Sequence, residues 1–270
     1  MAEPTPHGTA HIDRDAHETV ANPARMYDYF LGGHNNLPVD RERAEKIKEF
    51  LPETSSLVWE NRRFLQRAVR ELAGAGLRQF VDIGPGLPTQ GSVHQIAKNA
   101  GHDTRVAYVD NDPTVLRVAG ELLTDVPDVT VMRGDVRQPE SIISDLRRGG
   151  LIDLSQPVVV LLVAVLHFVD DKDRPERILE TIRDALAPGS YLVLSHLTDD
   201  GPDPDAVART VAVYEKASAQ IVFRNADSIR SLFAGWQLVD PGFVQPAQWR
   251  PDENTDPPTG WLRAGVGRLD

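Results

Sequence analysis

The sequence predicts an α/β fold: a doubly wound, mostly parallel, seven-stranded sheet beneath an N-terminal helical cap. Three observations predict it. Between residues 77 and 195, short β-branched runs alternate with stretches of helical period, and such a βαβα rhythm specifies parallel strands joined by right-handed crossovers. Residues 157–165 are apolar at nearly every position, as suits a strand buried on both faces. After residue 195 the rhythm breaks. The stretches 236–240 and 261–269 read as two last strands, joined by a Pro-rich loop over 246–258, which suits a hairpin better than another crossover.

The elements follow in order. Residues 1–21 read as a flexible arm, rich in Pro, Gly, His and Thr. Residues 22–76 form the cap. It opens with a short helical stretch, 25–30, that stops at Gly32-Gly33. Charged helices follow over 40–50 and 57–73, the second with Leu57, Phe64, Leu65, Val69 and Leu72 as its apolar stripe. The α/β domain, 77–270, starts with a strand at 79–83; Thr89 is the expected cap of the next helix. Strands at 105–109, 129–132, 157–165 and 190–195 alternate with helices at 114–123, 140–148 and 174–186. A helical insertion near 206–221 and a short helix at 228–233 precede the final hairpin.

Composition removes whole classes of function. The 270 residues suffice for one α/β domain and a modest extra segment. There is no cysteine, which excludes disulfides, thiolate metal sites and thiol catalysis and fits a cytoplasmic location. No apolar run of about 18 residues occurs, so no membrane partner is expected; the polar opening residues lack the apolar core of a secretory signal. The formal charge is −11, with arginines spread thinly, whereas a grip on a phosphate backbone calls for a basic stripe; nucleic acid is therefore not an expected partner. The acidic run Asp199, Asp200, Asp203 and Asp205 has no coordination pattern and reads as a solvated loop, so no metal is expected.

Four constellations carry chemistry. The first is Asp82-Ile83-Gly84-Pro85-Gly86, between a strand and a helix. Its glycines allow a sharp turn and close approach of a ligand at the carboxyl end of the sheet. A dinucleotide fingerprint would need a third glycine where Thr89 stands, and no phosphate-cradling Gly-x-x-x-x-Gly-Lys loop occurs. The second is Asp110-Asn111-Asp112, one βαβ unit later. Asp110 at a strand end can accept both hydroxyls of a ribose, while Asp112, before Pro113, can cap the following helix. The third is Arg133-Gly134-Asp135-Val136, where a carboxylate can accept from an adenine amino group or close an Asx turn. The fourth is Ala164-Val165-Leu166-His167-Phe168. His167 can act as a base near neutral pH or sit as a structural histidine, and His196 shares the ambiguity.

Together these ordered motifs resemble those of class I, Rossmann-like S-adenosylmethionine-dependent methyltransferases, a fold that adds an antiparallel seventh strand. More narrowly, the chain is similar to a bacterial S-adenosyl methyltransferase family formerly filed as a domain of unknown function. The similarity rests on Ala24-Arg25-Met26-Tyr27-Asp28-Tyr29, Leu31-Gly32-Gly33, Asn36, Asp40-Arg41 and Asn61-Arg62, then on residues 79–89, His94, residues 108–113 and Leu194-Ser195-His196. The resemblance implies S-adenosyl-L-methionine as cofactor. Gly84, Pro85 and Gly86 would approach its methionine part and Asp82 its ammonium group. Asp110 and Asn111 would meet the ribose, Asp135 and Val136 the adenine, and Ala164 the mouth of the same crevice. The element from Arg25 to Asn36 would fold over the cofactor, Arg25 meeting its carboxylate and Tyr27 packing on it, or would only cover the sheet.

A sulfonium methyl group is already electrophilic, so the protein mainly has to position a nucleophile. A small site suggests a small-molecule acceptor, with His167 as candidate base. No Asn-Pro-Pro-Tyr-type motif follows the fourth strand, which argues against methylation of base or glutamine nitrogens. A non-catalytic S-adenosylmethionine-binding sensor or partner protein shares the same motifs and stays open. A nicotinamide-dependent oxidoreductase is opposed by Thr89 and by the terminal hairpin. The cap helices offer a candidate face for a homodimer.

Overall fold

The computed structural model describes residues 19–88, 91–100, 103–253 and 255–270. The arm up to residue 18 and Thr89, the expected cap, lie outside them; Ser92 stands at the N-cap of the helix in question.

Seven strands form one sheet: β1 (Gln79–Ile83), β2 (Arg105–Asp110), β3 (Val129–Arg133), β4 (Val159–Val163), β5 (Tyr191–Leu197), β6 (Gln237–Leu238) and β7 (Leu262–Arg268), in the order β3-β2-β1-β4-β5-β7-β6. The first five are parallel. β7 inserts between β5 and β6, antiparallel to both, so the expected final hairpin is present and the dinucleotide alternative loses its topology.

The helices are α1 (Pro23–Phe30), α2 (Pro38–Lys48), α3 (Thr54–Gly74), α4 (Val93–Asn99), α5 (Pro113–Leu123), α6 (Pro139–Gly149), α7 (Pro175–Asp184), α8 (Pro204–Tyr214) and α9 (Ala226–Ser231). Because side chains alternate across a strand, each strand feeds two cores. Phe80, Val106, Tyr108, Leu161 and Val193 pack under α3, α4 and α5; Val81, Val109, Val160, Leu162 and Leu194 pack under α6, α7 and α9. Phe64 on α3, fully buried, meets Trp249 edge to face at 5.7 Å, a burial that contributes about 2–3 kcal/mol. α3 thus belongs to both layers: its second half covers the sheet, while Leu57 and Val58 join a third cluster with Met26, Phe30, Ile47, Tyr214 and Trp261.

Two boundaries differ from expectation. Packing already begins at Ala21, which bridges Ala217. The insertion is helical only to Tyr214, because the backbone beyond it bonds elsewhere. Ser218 N donates to Ala21 O and Val222 N to His167 O, at 2.9 and 2.8 Å. Those donors are then not available to carbonyls four residues back, and the chain runs extended beneath the cap.

Candidate functional site

The carboxyl ends of β1, β2, β3 and β4 open onto a cavity of about 800 Å³, where the strand order reverses between β1 and β4 and a sheet of this kind leaves a crevice. Its floor is built by the turns after the strands. Beyond β1 the chain turns through Gly84 (φ 71°) and Gly86 (φ 66°), a region that residues with a Cβ seldom enter. A Cβ on Gly84 would also stand 2.7 Å from Val165 Cγ2. Pro85 lies between them on the cavity wall.

Two carboxylates face this floor. Asp82 is buried on β1, and the described residues give its carboxylate neither an ion pair nor a hydrogen bond. Burial raises its pKa to about 7, with Asp110 adding to the rise and the Arg62 guanidinium opposing it. Asp110, at the end of β2, accepts from Asp112 N at 2.9 Å and Gly86 N at 3.4 Å; burial still lifts it to about 6. Asp112 caps α5 as expected, accepting from Thr114 N and Val115 N at 2.7 and 3.3 Å. Asn111 lines the cavity, its amide 3.5 Å from Asp135. Asp135 is forked by Arg137, whose hydrogen bonds hold its carboxyl below the ordinary range, and Val136 closes the apolar side of that pocket. Ala164 follows β4 with φ 61°, rare for a residue with a side chain; its N–H donates to Ser195 Oγ at 3.0 Å.

The opposite wall comes from the third hydrophobic cluster. Phe30, Leu51, Leu57, Tyr214, Phe223 and Trp261 line it, brought there by α1, α2, α3, α8, the extended segment and the approach to β7. One hydrogen-bonded chain couples this wall to the floor. Ser195 Oγ donates to Asn61 Oδ1 at 2.5 Å, Asn61 Nδ2 donates to Tyr27 OH at 3.0 Å, and Tyr27 OH donates to Val58 O at 3.2 Å.

His167 lines the cavity in the 3-10 turn Leu166–Phe168. Its Nδ1 is buried with no hydrogen-bond partner among the described residues. Burial, His196 and Arg224 together hold its pKa well below the ordinary value, so the ring is neutral at pH 7 and only weakly basic. His196 is structural: Arg224 Nη1 donates to its Nε2 at 2.6 Å, which puts the ring proton on Nδ1, facing Leu197 O at 2.6 Å. Arg224 also bonds Leu166 O, Val169 O and Asp171, fixing the turn that carries His167.

Two expected contacts are not brought to the cavity. Arg25, expected to meet a carboxylate, is turned inward: its Nε pairs with Asp40 at 2.6 Å and its Nη2 donates to Val20 O. Asp40 also accepts from Asn22 N and Leu37 N, both at 2.8 Å. This buried carboxylate therefore claims the guanidinium. Asn36, expected over the cofactor, instead donates to Asp28 Oδ2 at 2.8 Å and Gly33 O at 2.9 Å and accepts from Arg41. A Cβ on Gly33 would lie 2.1 Å from Asp28 Oδ1; the Leu31-Gly32-Gly33 signature thus packs the cap on itself. Tyr27 does line the cavity.

Arg62 lines the cavity, and sequence reasoning gave it no role. The signal was present: Asn61 stands between Leu57 and Leu65 at four-residue spacing, with Arg62 beside it, so that polar side chains interrupt the apolar stripe, and buried polar groups on such a stripe have partners to meet.

The sheet order, the Gly-x-Gly turn and the acidic ends of β1 and β2 define a class I S-adenosylmethionine-dependent methyltransferase. A family model described as S-adenosyl methyltransferase matches residues 9–270, and the chain belongs to that family. Among solved structures, it is similar to a protein of Thermobifida fusca YX assigned provisionally as a methyltransferase: 38% identity over 97% of this chain and 100% of that one, TM-score 0.87. It is also similar to a DUF574 family protein of Streptomyces avermitilis MA-4680: 33% identity over 94% and 99% of the two chains, TM-score 0.88. No curated protein matches the chain. The cofactor is S-adenosyl-L-methionine, and the chain acts on a substrate that it methylates. Nothing in these likenesses supports a non-catalytic binder. No helix among the described residues is long and apolar enough to cross a membrane.

Proposed function

We propose that the chain methylates a nucleophilic oxygen or nitrogen of a small, largely apolar acceptor held beneath the cap, in the cytoplasm. The carrying observation is the two-sided cavity: a polar floor at the strand ends and, facing it, an aromatic and aliphatic wall from α1, α2, α3, α8 and Trp261. Pockets of this volume take ligands of drug size, with apolar walls supplying affinity and a few polar groups supplying orientation.

The residues present fit the cofactor. Asp82 offers a carboxylate without an ion pair, suited to an ammonium group, the Gly84-Pro85-Gly86 turn admits close approach, Asp110 with Asn111 suits ribose hydroxyls, Asp135 with Val136 suits the adenine end, and Ala164 lines the mouth of the same crevice. When bound, the cofactor supplies a methyl group on a sulfonium, so that a bond from carbon to the acceptor replaces the carbon–sulfur bond. The chain's own part is to hold the acceptor, exclude water and take its proton or hydrogen bond. His167 suits the last of these roles. Its neutral ring can accept from the acceptor's O–H or N–H, and its low basicity favours orientation over full deprotonation.

The test is transfer of labelled methyl to a panel of small phenols, hydroxylated polyketides and aromatic amines, beside RNA, DNA and a protein extract. The reading expects label only in small molecules, with Trp261→Ala weakening acceptor KM by roughly tenfold or more through lost apolar contact. Label confined to protein or nucleic acid contradicts it.

A further inference from the structure

A buried cation that forms no ion pair among the described residues stands beside the Gly-x-Gly turn. Arg62, on α3, is 8% exposed, and its Nε is buried with no hydrogen-bond partner among the described residues. No carboxylate among those residues forms an ion pair with it, Asp82 included. Its guanidinium lies over the Tyr27 ring, 5.6 Å from the centroid, and that ring is itself fixed through Asn61 and Val58. Arg62 and Asp82 both line the main cavity and the small recess formed by Pro85, Gly86 and Leu87.

Burying a charge without a partner is costly, and a guanidinium is the side chain best shaped to take a carboxylate in two parallel hydrogen bonds. Here a cation and a carboxylate share one recess; Arg62 meets the Tyr27 side chain, and neither charged group forms an ion pair among the described residues. That arrangement suits a ligand carrying both charges on adjacent groups. The other buried arginines of residues 22–76 are already held, Arg25 by Asp40 and Arg67 by the carbonyls of Trp249 and Pro246.

We infer that Arg62 binds the α-carboxylate of the cofactor's methionyl end while Asp82 faces its ammonium group, so that Arg62 selects ligands with an intact amino-acid end. This rests on the cofactor placement proposed above. It assigns to a helix of the cap a part of cofactor recognition that the strand motifs do not contain.

The experiment compares S-adenosylmethionine with decarboxylated S-adenosylmethionine, which keeps sulfonium and ammonium and lacks only the carboxylate. Both are titrated calorimetrically into wild type, Arg62→Gln and Arg62→Lys, at a pH above that at which Asp82 takes up a proton. The wild type should prefer the intact cofactor by roughly ten- to a hundredfold. Arg62→Gln should bind both ligands alike, Arg62→Lys should keep part of the preference, and circular dichroism should show both variants folded. A preference that survives in Arg62→Gln overturns the inference. So does a parallel loss for both ligands in both variants. Failure of the wild type to bind either ligand overturns the cofactor placement itself.

Discussion

At the scale of single residues, the site is governed by carboxylates kept out of water. Asp82 and Asp110 are raised to about 7 and about 6, mainly by burial, whereas a free carboxyl titrates near 4. Each of these two carboxyls therefore holds more proton in the ligand-free fold than in the unfolded chain between about pH 4 and pH 7, and the two lower stability as pH rises through that window. An ammonium group paired with Asp82 favours the ionised form and reverses the sign. Cofactor affinity should increase with pH up to about 7–8, and at pH 6 binding should release about one proton. Calorimetry at pH 6 in buffers of different ionisation enthalpy measures that number. Asp82→Asn should lose most of the release, and equal apparent enthalpies for the wild type in all buffers would contradict the assignment.

At the scale of elements, two buried carboxylates organise the cap. Asp40, in the first turn of α2, joins Arg25, Asn22 and the approach to its own helix; Asp28 on α1 gathers Asn35 and Asn36 around Gly33. Neither pattern is visible in a window of sequence, because hydrophobic period reports which face of a helix is covered and not which polar side chain waits beneath it. Arg25 looked like a ligand residue for that reason. By contrast, the Asp112 cap, the Gly84 and Gly86 turns and the strand runs are local and were legible. Removing one partner of a buried pair strands the other, so Asp40→Ala should cost about 3–5 kcal/mol and lower the melting temperature by roughly 10 °C. Asp40→Asn, which keeps one acceptor oxygen, should cost less. A melting temperature for Asp40→Ala within about 2 °C of wild type would show that Asp40 is not the hub of the cap.

At the scale of the whole molecule, the sheet and the helical cap are joined through one long helix. α3 packs Phe64, Ala68 and Val69 on the sheet, and at its other end holds Asn61 and Arg62 over the strand ends. The seven strands and the final hairpin followed from period, turn residues and the break after β5. What the sequence could not carry was the meeting of α3 with β1 and β5, a tertiary contact across which Asn61 reaches Ser195. The account stands on the cofactor lying along the ends of β1, β2 and β3. Calorimetric titration of S-adenosylmethionine into wild type and Asp110→Ala tests that most directly. Binding by the wild type, weakened at least roughly tenfold in a variant that remains folded, is the predicted result. No binding by the wild type, or equal binding by both proteins, would contradict it.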